Sequence, residues 1–148
     1  KTQAKEETTN VKLSFLFEEI KKDLNNKNLF LENLDNVELN GRLSSLRRCF
    51  ENVIQNGLTY GKNVYVELQK GNNRAIINID DDGPGISEDQ HRNVFKPFFR
   101  LDKSRNLNKA GVGLGLAIVE DIVNAHGGNI QLNKSKYNGL QVKISLPF

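Results

Sequence analysis

Residues 74–86 read RAIINIDDDGPGI and change character halfway along. Ala75, Ile77 and Ile79 alternate with their neighbours, the two-residue period that puts one set of side chains on one face of a strand. From Asp80 the composition becomes acidic and then turn-like, Asp80-Asp81-Asp82-Gly83-Pro84-Gly85, which reads as having left the strand interior. Just upstream, Val64, Val66 and Leu68 form a second alternating run, and Lys70-Gly71-Asn72-Asn73 between the two supplies turn chemistry. The middle of the chain is therefore expected to be a pair of adjacent strands ending in an acidic, glycine-rich turn.

Outward from this pair the period changes to that of a helix. Leu43, Leu46, Phe50, Val53 and Gly57 share one face of a helix expected over about residues 42–57, and Leu13, Leu16, Phe17, Ile20 and Leu24 one over about residues 12–25. Downstream, Ser87 is the expected N-cap of a short helix over about residues 88–95. A third long helix, about 114–126, is apolar nearly all round, which predicts thorough burial, and His126-Gly127-Gly128 stops it. Short strands are expected near 29–31, 37–39, 129–133 and 140–146. Residues 1–9 are polar without periodicity and read as a tail; residues 99–110 read as a long loop. This order predicts an α/β protein, a two-layer α/β sandwich whose mixed sheet is covered on one face by three helices.

Composition bounds the possibilities. The 148 residues fit one domain. Hydrophobic residues make up 37% and charged residues 26%, with a mean hydropathy of −0.53, an ordinary balance for a water-soluble domain. No stretch approaches the ~18 apolar residues of a membrane span, and no secretory leader opens the chain. A single cysteine excludes an internal disulfide framework or a multi-cysteine zinc site. The net charge of +3 is spread among acids rather than clustered, so no nucleic acid is expected as a partner. The absence of methionine, with Lys1 first, reads as a piece of a longer protein.

Four local patterns could carry chemistry. Asn52 and Asn56 lie one above the other on a helix, where two amide oxygens could hold a hard cation such as Mg²⁺; in a chain rich in asparagine the spacing also arises by chance. A carboxylate in Asp81-Asp82-Gly83-Pro84-Gly85-Ile86 could accept from the exocyclic amino group of adenine, where guanine would present an oxygen; a plain acidic turn would look the same. Gly111-Val112-Gly113-Leu114-Gly115-Leu116 opens a helix, and its amides could receive phosphate or its glycines could serve close packing. Arg100, Lys103, Arg105 and Lys109 precede it, either solvated or placed to stabilise charge on a transferred phosphoryl group. His91, His126 and Cys49 read as structural, with His126 at a helix end that favours a positive ring.

Taken in order, Asn52-x-x-x-Asn56, Asp81-x-Gly83-x-Gly85, Phe95-x-x-Phe98 and Gly111-x-Gly113-x-Gly115 resemble the N-box, first glycine box, F-box and second glycine box of the ATP-binding catalytic domain of bacterial sensor histidine kinases, within the GHKL superfamily. Asp81 to Ile86 together with Lys96-Pro97-Phe98 and Arg100 look most like the EnvZ-type osmosensor group. The resemblance implies a Bergerat-type fold over residues 11–148, with residues 1–10 linking to a preceding domain and a mobile lid at about 96–112. It implies that Asn52 and Asn56 hold Mg²⁺ and, through it, ATP. Asp81 would take the adenine amino group, Gly83, Gly85 and Ile86 would shape the pocket, and Tyr60 would lie against the nucleotide. Phe95 and Phe98 would anchor the lid. Gly111, Gly113, Leu114, Gly115 and Leu116 would seat the phosphates and hinge the lid, while Arg100, Lys103 or Arg105 would reach the γ-phosphate.

The implied activity is transfer of that phosphate to a histidine on a separate dimerisation domain of the same protein, with a response regulator downstream. The fragment itself would be monomeric, on the cytoplasmic side of an inner-membrane sensor. Thr59 stands where a basic residue is frequent and Val112 where Thr or Ser is, each removing a polar phosphate contact. A nucleotide-binding module with little turnover is one alternative. A GHKL ATPase or serine kinase is another, but those carry a Glu at the position of Asn52, and Glu51 is about 100° round the helix.

Overall fold

The computed structural model describes residues 7–96 and 115–148. In chain order the elements are β1 (Thr9–Lys12), α1 (Leu13–Leu24), β2 (Leu29–Leu34), β3 (Glu38–Gly41), α2 (Leu43–Tyr60), β4 (Val64–Lys70), β5 (Arg74–Asp81), α3 (Leu116–Ala125), β6 (Asn129–Lys134) and β7 (Leu140–Pro147). Two single-turn 3₁₀ segments, Glu88–Gln90 and Asn93–Phe95, follow β5.

Five strands form one sheet in the order β2-β4-β5-β7-β6, and β1 and β3 form a separate antiparallel ribbon. The β4–β5 hairpin turns on Gly71-Asn72-Asn73, with Asn73 in the left-handed region at φ 62°. Strand β2 lies parallel to β4 because the chain between them crosses over through β3 and α2. The other three pairings are antiparallel, so the sheet is mixed, as expected.

One face of the sheet is apolar throughout. Val64, Val66 and Leu68 of β4, Ala75, Ile77 and Ile79 of β5, and Val142, Ile144 and Leu146 of β7 are all at most 3% exposed. The three helices supply the opposing layer through Leu16, Phe17 and Ile20, through Leu46, Phe50 and Val53, and through Leu116, Val119 and Val123. Phe17 and Phe50 meet between α1 and α2 with ring centroids 4.6 Å apart. On the surface above them Arg47 of α2 donates to Asp23 at 2.6 Å and to Glu51 at 2.8 Å.

Several expectations need correction. Strand β5 continues through Asp80, paired with Tyr65 and Gln141, to Asp81, paired with Val64. Asp80 tolerates the strand interior because its carboxylate accepts from Ser135 Oγ at 2.7 Å and Gln141 Nε2 at 3.3 Å. Residues 88–95 are two 3₁₀ turns rather than a helix, and the Ser87 hydroxyl donates to Asp89 at 2.6 Å instead of capping a backbone amide. Strand β1 was not expected. Its only core contact is Val11, and it exists by pairing Thr9–Lys12 with Glu38–Gly41, which no local period announces.

Helix α3 buries one face only. Leu116, Val119 and Val123 are covered, whereas Ile118 is 36% exposed, because the helix packs on α2 and β6 from one side. His126 is structural, though not as a cation at the helix end. Its Nε2 accepts from Arg42 N–H at 3.0 Å and its Nδ1 bonds Ile122 O at 2.8 Å, joining the start of α2 to the end of α3. Cys49 is a buried filler whose thiol is pushed up to about 12 by desolvation.

Candidate functional site

A cleft opens where the C-terminal half of α2, the end of β5, the turn after it, the start of α3 and the start of β7 converge. It encloses about 520 Å³, its open mouth included. Val53, Gly57, Ile79, Leu116, Leu140 and Val142 make the walls apolar, and Pro84, Gly85 and Ile86 form one rim. The polar side chains in it are Asn56, Tyr60 and Asp81. Such a slot, apolar with a few directed polar groups, suits a flat heteroaromatic ligand.

Asp81 reaches the cleft because it continues the period of Ile77 and Ile79 along β5, which aims its side chain at the helical layer. Asp80, one residue earlier, points to the opposite face. Asp82, one residue later, accepts from Lys62 N–H at 2.7 Å, Asn63 N–H at 2.9 Å and Asn63 Nδ2 at 3.0 Å, so it ties the α2–β4 connection to the turn and serves structure. Those bonds outweigh its desolvation and hold its carboxyl below the ordinary range.

Asp81 itself is differently placed. Burial raises its pKa, opposed by backbone N–H groups from Gly83 at 2.9 Å and Leu140 at 3.1 Å, both donating to Oδ1; Asp82 and Asp80 push it up further. With Oδ1 engaged, Oδ2 is the oxygen available to a ligand in the cleft.

The close approach of α2 to this carboxylate depends on glycine. A Cβ on Gly57 would come within 2.5 Å of Val64 Cγ2 and 3.2 Å of Asp81 Cβ, so helix and strand could not meet as they do. Gly83 passes under the end of α2, where a Cβ would stand 2.8 Å from Tyr60 O.

Of the residues singled out from the sequence, Asn56, Tyr60, Asp81, Gly85, Ile86 and Leu116 line the cleft together. Gly83 borders it through its bond to Asp81. Asn52 is one turn back along α2, and its amide faces Gly115, which starts α3 at φ 71°; a Cβ there would lie 3.5 Å from Asn52 Nδ2. Phe95 packs against the core beside the cleft without lining it. Thr59 likewise does not line it. Phe98, Arg100, Lys103, Arg105, Gly111, Val112, Gly113 and Leu114, with the lid expected over 96–112 beyond Lys96, lie outside the described residues.

Sequence reasoning missed the contribution of β7 and the turn before it. Leu140 and Val142 line the cleft, Leu140 N–H holds Asp81, and Gly139 lies against Asp81 with no room for a side chain. The pair Asn138-Gly139 between two alternating runs is a hairpin signal that could have located the turn, although not its partner.

Residues 41–148, most of the chain, match the family described as histidine kinase-, DNA gyrase B- and HSP90-like ATPases. The chain belongs to that family. Among relatives, the sensor histidine kinase GtrS of Pseudomonas aeruginosa is 36% identical over 107 residues, which is 72% of this chain and 22% of GtrS. The sensor histidine kinase CpxA of Escherichia coli K12 is 36% identical over 110 residues, 74% of this chain and 24% of CpxA. This chain thus spans less than a quarter of the length of either relative.

Two solved structures share the architecture. The histidine kinase domain of the E. coli osmosensor EnvZ is 30% identical with a TM-score of 0.73, covering 99% of this chain and 92% of that one. The mycobacterial sensor histidine kinase MprB is 27% identical with a TM-score of 0.78, covering 95% and 97%. Within that family the chain is similar to the corresponding domains of sensor histidine kinases. Among its described residues no helix is long and apolar enough to cross a membrane.

Proposed function

We propose that this ATPase-family domain binds Mg²⁺·ATP with its purine in the cleft and donates the γ-phosphate to a histidine of a separate dimerisation domain. One observation carries the purine assignment: a half-buried carboxylate, fixed through Oδ1, at the end of an apolar slot. An ionised Oδ2 accepts from the exocyclic amino group of adenine. Guanine would set its carbonyl oxygen against the same charge, a contact in which neither group finds a partner. Tyr60, Ile86 and Leu116 would cover the ring.

From the purine the triphosphate would run towards the start of α3. The N-terminus of that ten-residue helix, where backbone amides attract anions, brings Gly115 and Asn52 together. Asn52 and Asn56 offer neutral amide oxygens. Such donors fit a Mg²⁺ ion held chiefly by phosphate and water, since the ion takes few protein ligands when substrate oxygens supply the charge. When bound, the ion would neutralise charge on the β- and γ-phosphates. The basic residues Arg100, Lys103 and Arg105 would complete the site around the γ-phosphate.

In the transfer, the bond from the γ-phosphorus to its bridging oxygen breaks and a bond to an imidazole nitrogen forms. ADP leaves, and the imidazole loses its proton. Positioning and charge stabilisation suffice for such chemistry, so the nucleophile can come from another domain. Glu51, the nearest carboxylate to the asparagine pair in sequence, accepts from Arg47 on the surface of the helix and is poorly placed to activate water. Hydrolysis by the isolated chain should accordingly be slow. A sensor parent would keep this domain on the cytoplasmic side of the inner membrane, with a response regulator taking the phosphate onward.

Two measurements test the reading. Asp81→Asn is expected to weaken Mg²⁺·ATP binding by roughly 1.5–3 kcal/mol, the scale of a charged hydrogen bond, by calorimetry; unchanged affinity removes Asp81 from the purine site. Incubation with a dimerisation domain and labelled ATP should give acid-labile label on histidine. Persistent absence of label, with ATP bound, would leave a nucleotide-binding module without transfer.

A further inference from the structure

The two amides that fix Asp81 come from opposite parts of the chain. Gly83 belongs to the same turn, whereas Leu140 is 59 residues away at the start of β7. Between β6 and β7 the chain folds into a tight turn, with Ser135 N–H donating to Gly139 O at 2.8 Å and Asn138 N–H donating to Ser135 O at 3.0 Å. Asn138 takes the left-handed conformation at φ 79° that this turn needs. Gly139 then lies flat on the acid. A Cβ there would overlap Asp81 Oδ1 and the Asp81 carbonyl oxygen and stand 2.6 Å from Gly83 N.

The same turn is anchored on the far face of the sheet. Ser135, 3% exposed, donates its hydroxyl to Asp80 Oδ2 at 2.7 Å and accepts Tyr137 N–H at 3.0 Å. The Tyr137 ring stacks on Tyr65 with centroids 3.8 Å apart, and its hydroxyl donates to Glu32 at 3.1 Å. Asp80 and Asp81 are consecutive strand residues facing opposite sides, so the turn grips both. On the far face, the residues that anchor the turn, Asp80, Ser135, Tyr137, Tyr65 and Glu32, lie outside the four sequence motifs.

We propose that the β6–β7 turn, through Gly139 and Ser135, is the positioning element that sets purine selectivity in this site. The inference rests on the nucleotide reading given above. Rejection of guanine requires a carboxylate that cannot swing away from an opposing oxygen; one free to rotate relieves the repulsion and tolerates either purine. The turn supplies that rigidity twice, by the Leu140 amide on Oδ1 and by the close contact of Gly139. Ser135 keeps the turn in place from the side that no nucleotide touches.

The test is titration of the full 148-residue chain with Mg²⁺·ATP and separately with Mg²⁺·GTP, reading the ratio of the two affinities. Partial unfolding lowers both apparent affinities by the same factor, so a purely structural role leaves that ratio unmoved. Ser135→Ala is expected to reduce the ATP:GTP ratio roughly three- to tenfold, the worth of one hydrogen bond. Gly139→Ala, which displaces the carboxylate directly, should reduce it further. If Gly139→Ala does not fold, Ser135→Ala decides alone. A wild-type ratio favouring ATP that Ser135→Ala leaves unchanged overturns the inference and spares the nucleotide site. A wild-type chain that binds neither nucleotide, or both alike, overturns the purine reading and this inference with it.

Discussion

Asp81 is asked to be ionised in a place that disfavours ionisation. Desolvation raises its pKa and two backbone amides only partly oppose this. The folded chain therefore holds a proton on Asp81 at a higher pH than the unfolded chain does. The sign follows: ionising it costs folding stability, fully so above the raised pKa and not at all below the ordinary carboxylate value. Asp81→Asn keeps an oxygen for the Gly83 and Leu140 amides and removes that cost. Its Tm should exceed that of the parent chain at neutral pH, and the difference should vanish near ~pH 3, where Asp81 is itself neutral. Thermal scans at both pH values check this, and a lower Tm at neutral pH would count against the desolvation account. By the same sign, affinity for ATP should fall with pH sooner than an ordinary carboxylate would give. The residue proposed to take the adenine amino group is one the fold would be more stable without.

Between elements, the pairing of α1 and α2 shows which interactions hold the layers together. Phe17 and Phe50 are fully buried and in contact, whereas Arg47 spans the same helices on the surface, about 29% exposed. Removing a buried aromatic ring leaves a cavity that the sheet and helices cannot close, so Phe50→Ala should cost about 3–5 kcal/mol in denaturant unfolding. Arg47→Ala, despite losing bonds to Asp23 and Glu51, should cost about 1 kcal/mol or less and lose most of that effect in high salt. A reversed order would mean that the ion network rather than the core aligns α2. That alignment matters for the site, since α2 carries Asn56 and Tyr60 to the cleft and Asn52 to the start of α3.

At the scale of the molecule, the cleft is assembled from α2, β5, α3 and β7, whose contacts exist only in the folded state. A ligand that bridges them must stabilise the whole. At a hundred times its Kd, ATP should add about 2.7 kcal/mol and raise Tm by several degrees in Mg²⁺. The shift should shrink in Asp81→Asn. In Asn56→Ala it should lose its dependence on Mg²⁺ while part of the purine contribution survives. Retention of the full Mg²⁺ dependence in Asn56→Ala would take the metal away from this side chain. Differential scanning fluorimetry with and without EDTA reads both.

The periodic elements were legible in the chain because burial leaves a local mark. The alternation of β4, β5 and β7 and the apolar stripes of α1 and α2 each follow from one face meeting the core. The spacing of Asn52, Asn56, Asp81, Gly83 and Gly85 was legible too, since each motif occupies a single helix or turn. What needed the tertiary structure was everything made by residues distant in sequence. Thr9–Lys12 becomes a strand only because Glu38–Gly41 pairs with it. Asp80 stays in the sheet only because Ser135 and Gln141 satisfy it. Asp81 gains a fixed carboxylate only because Leu140 and Gly139 close over it. Side-chain periodicity records which face is buried, whereas a hydrogen bond across 59 residues is recorded in neither partner and arises when the layers come together.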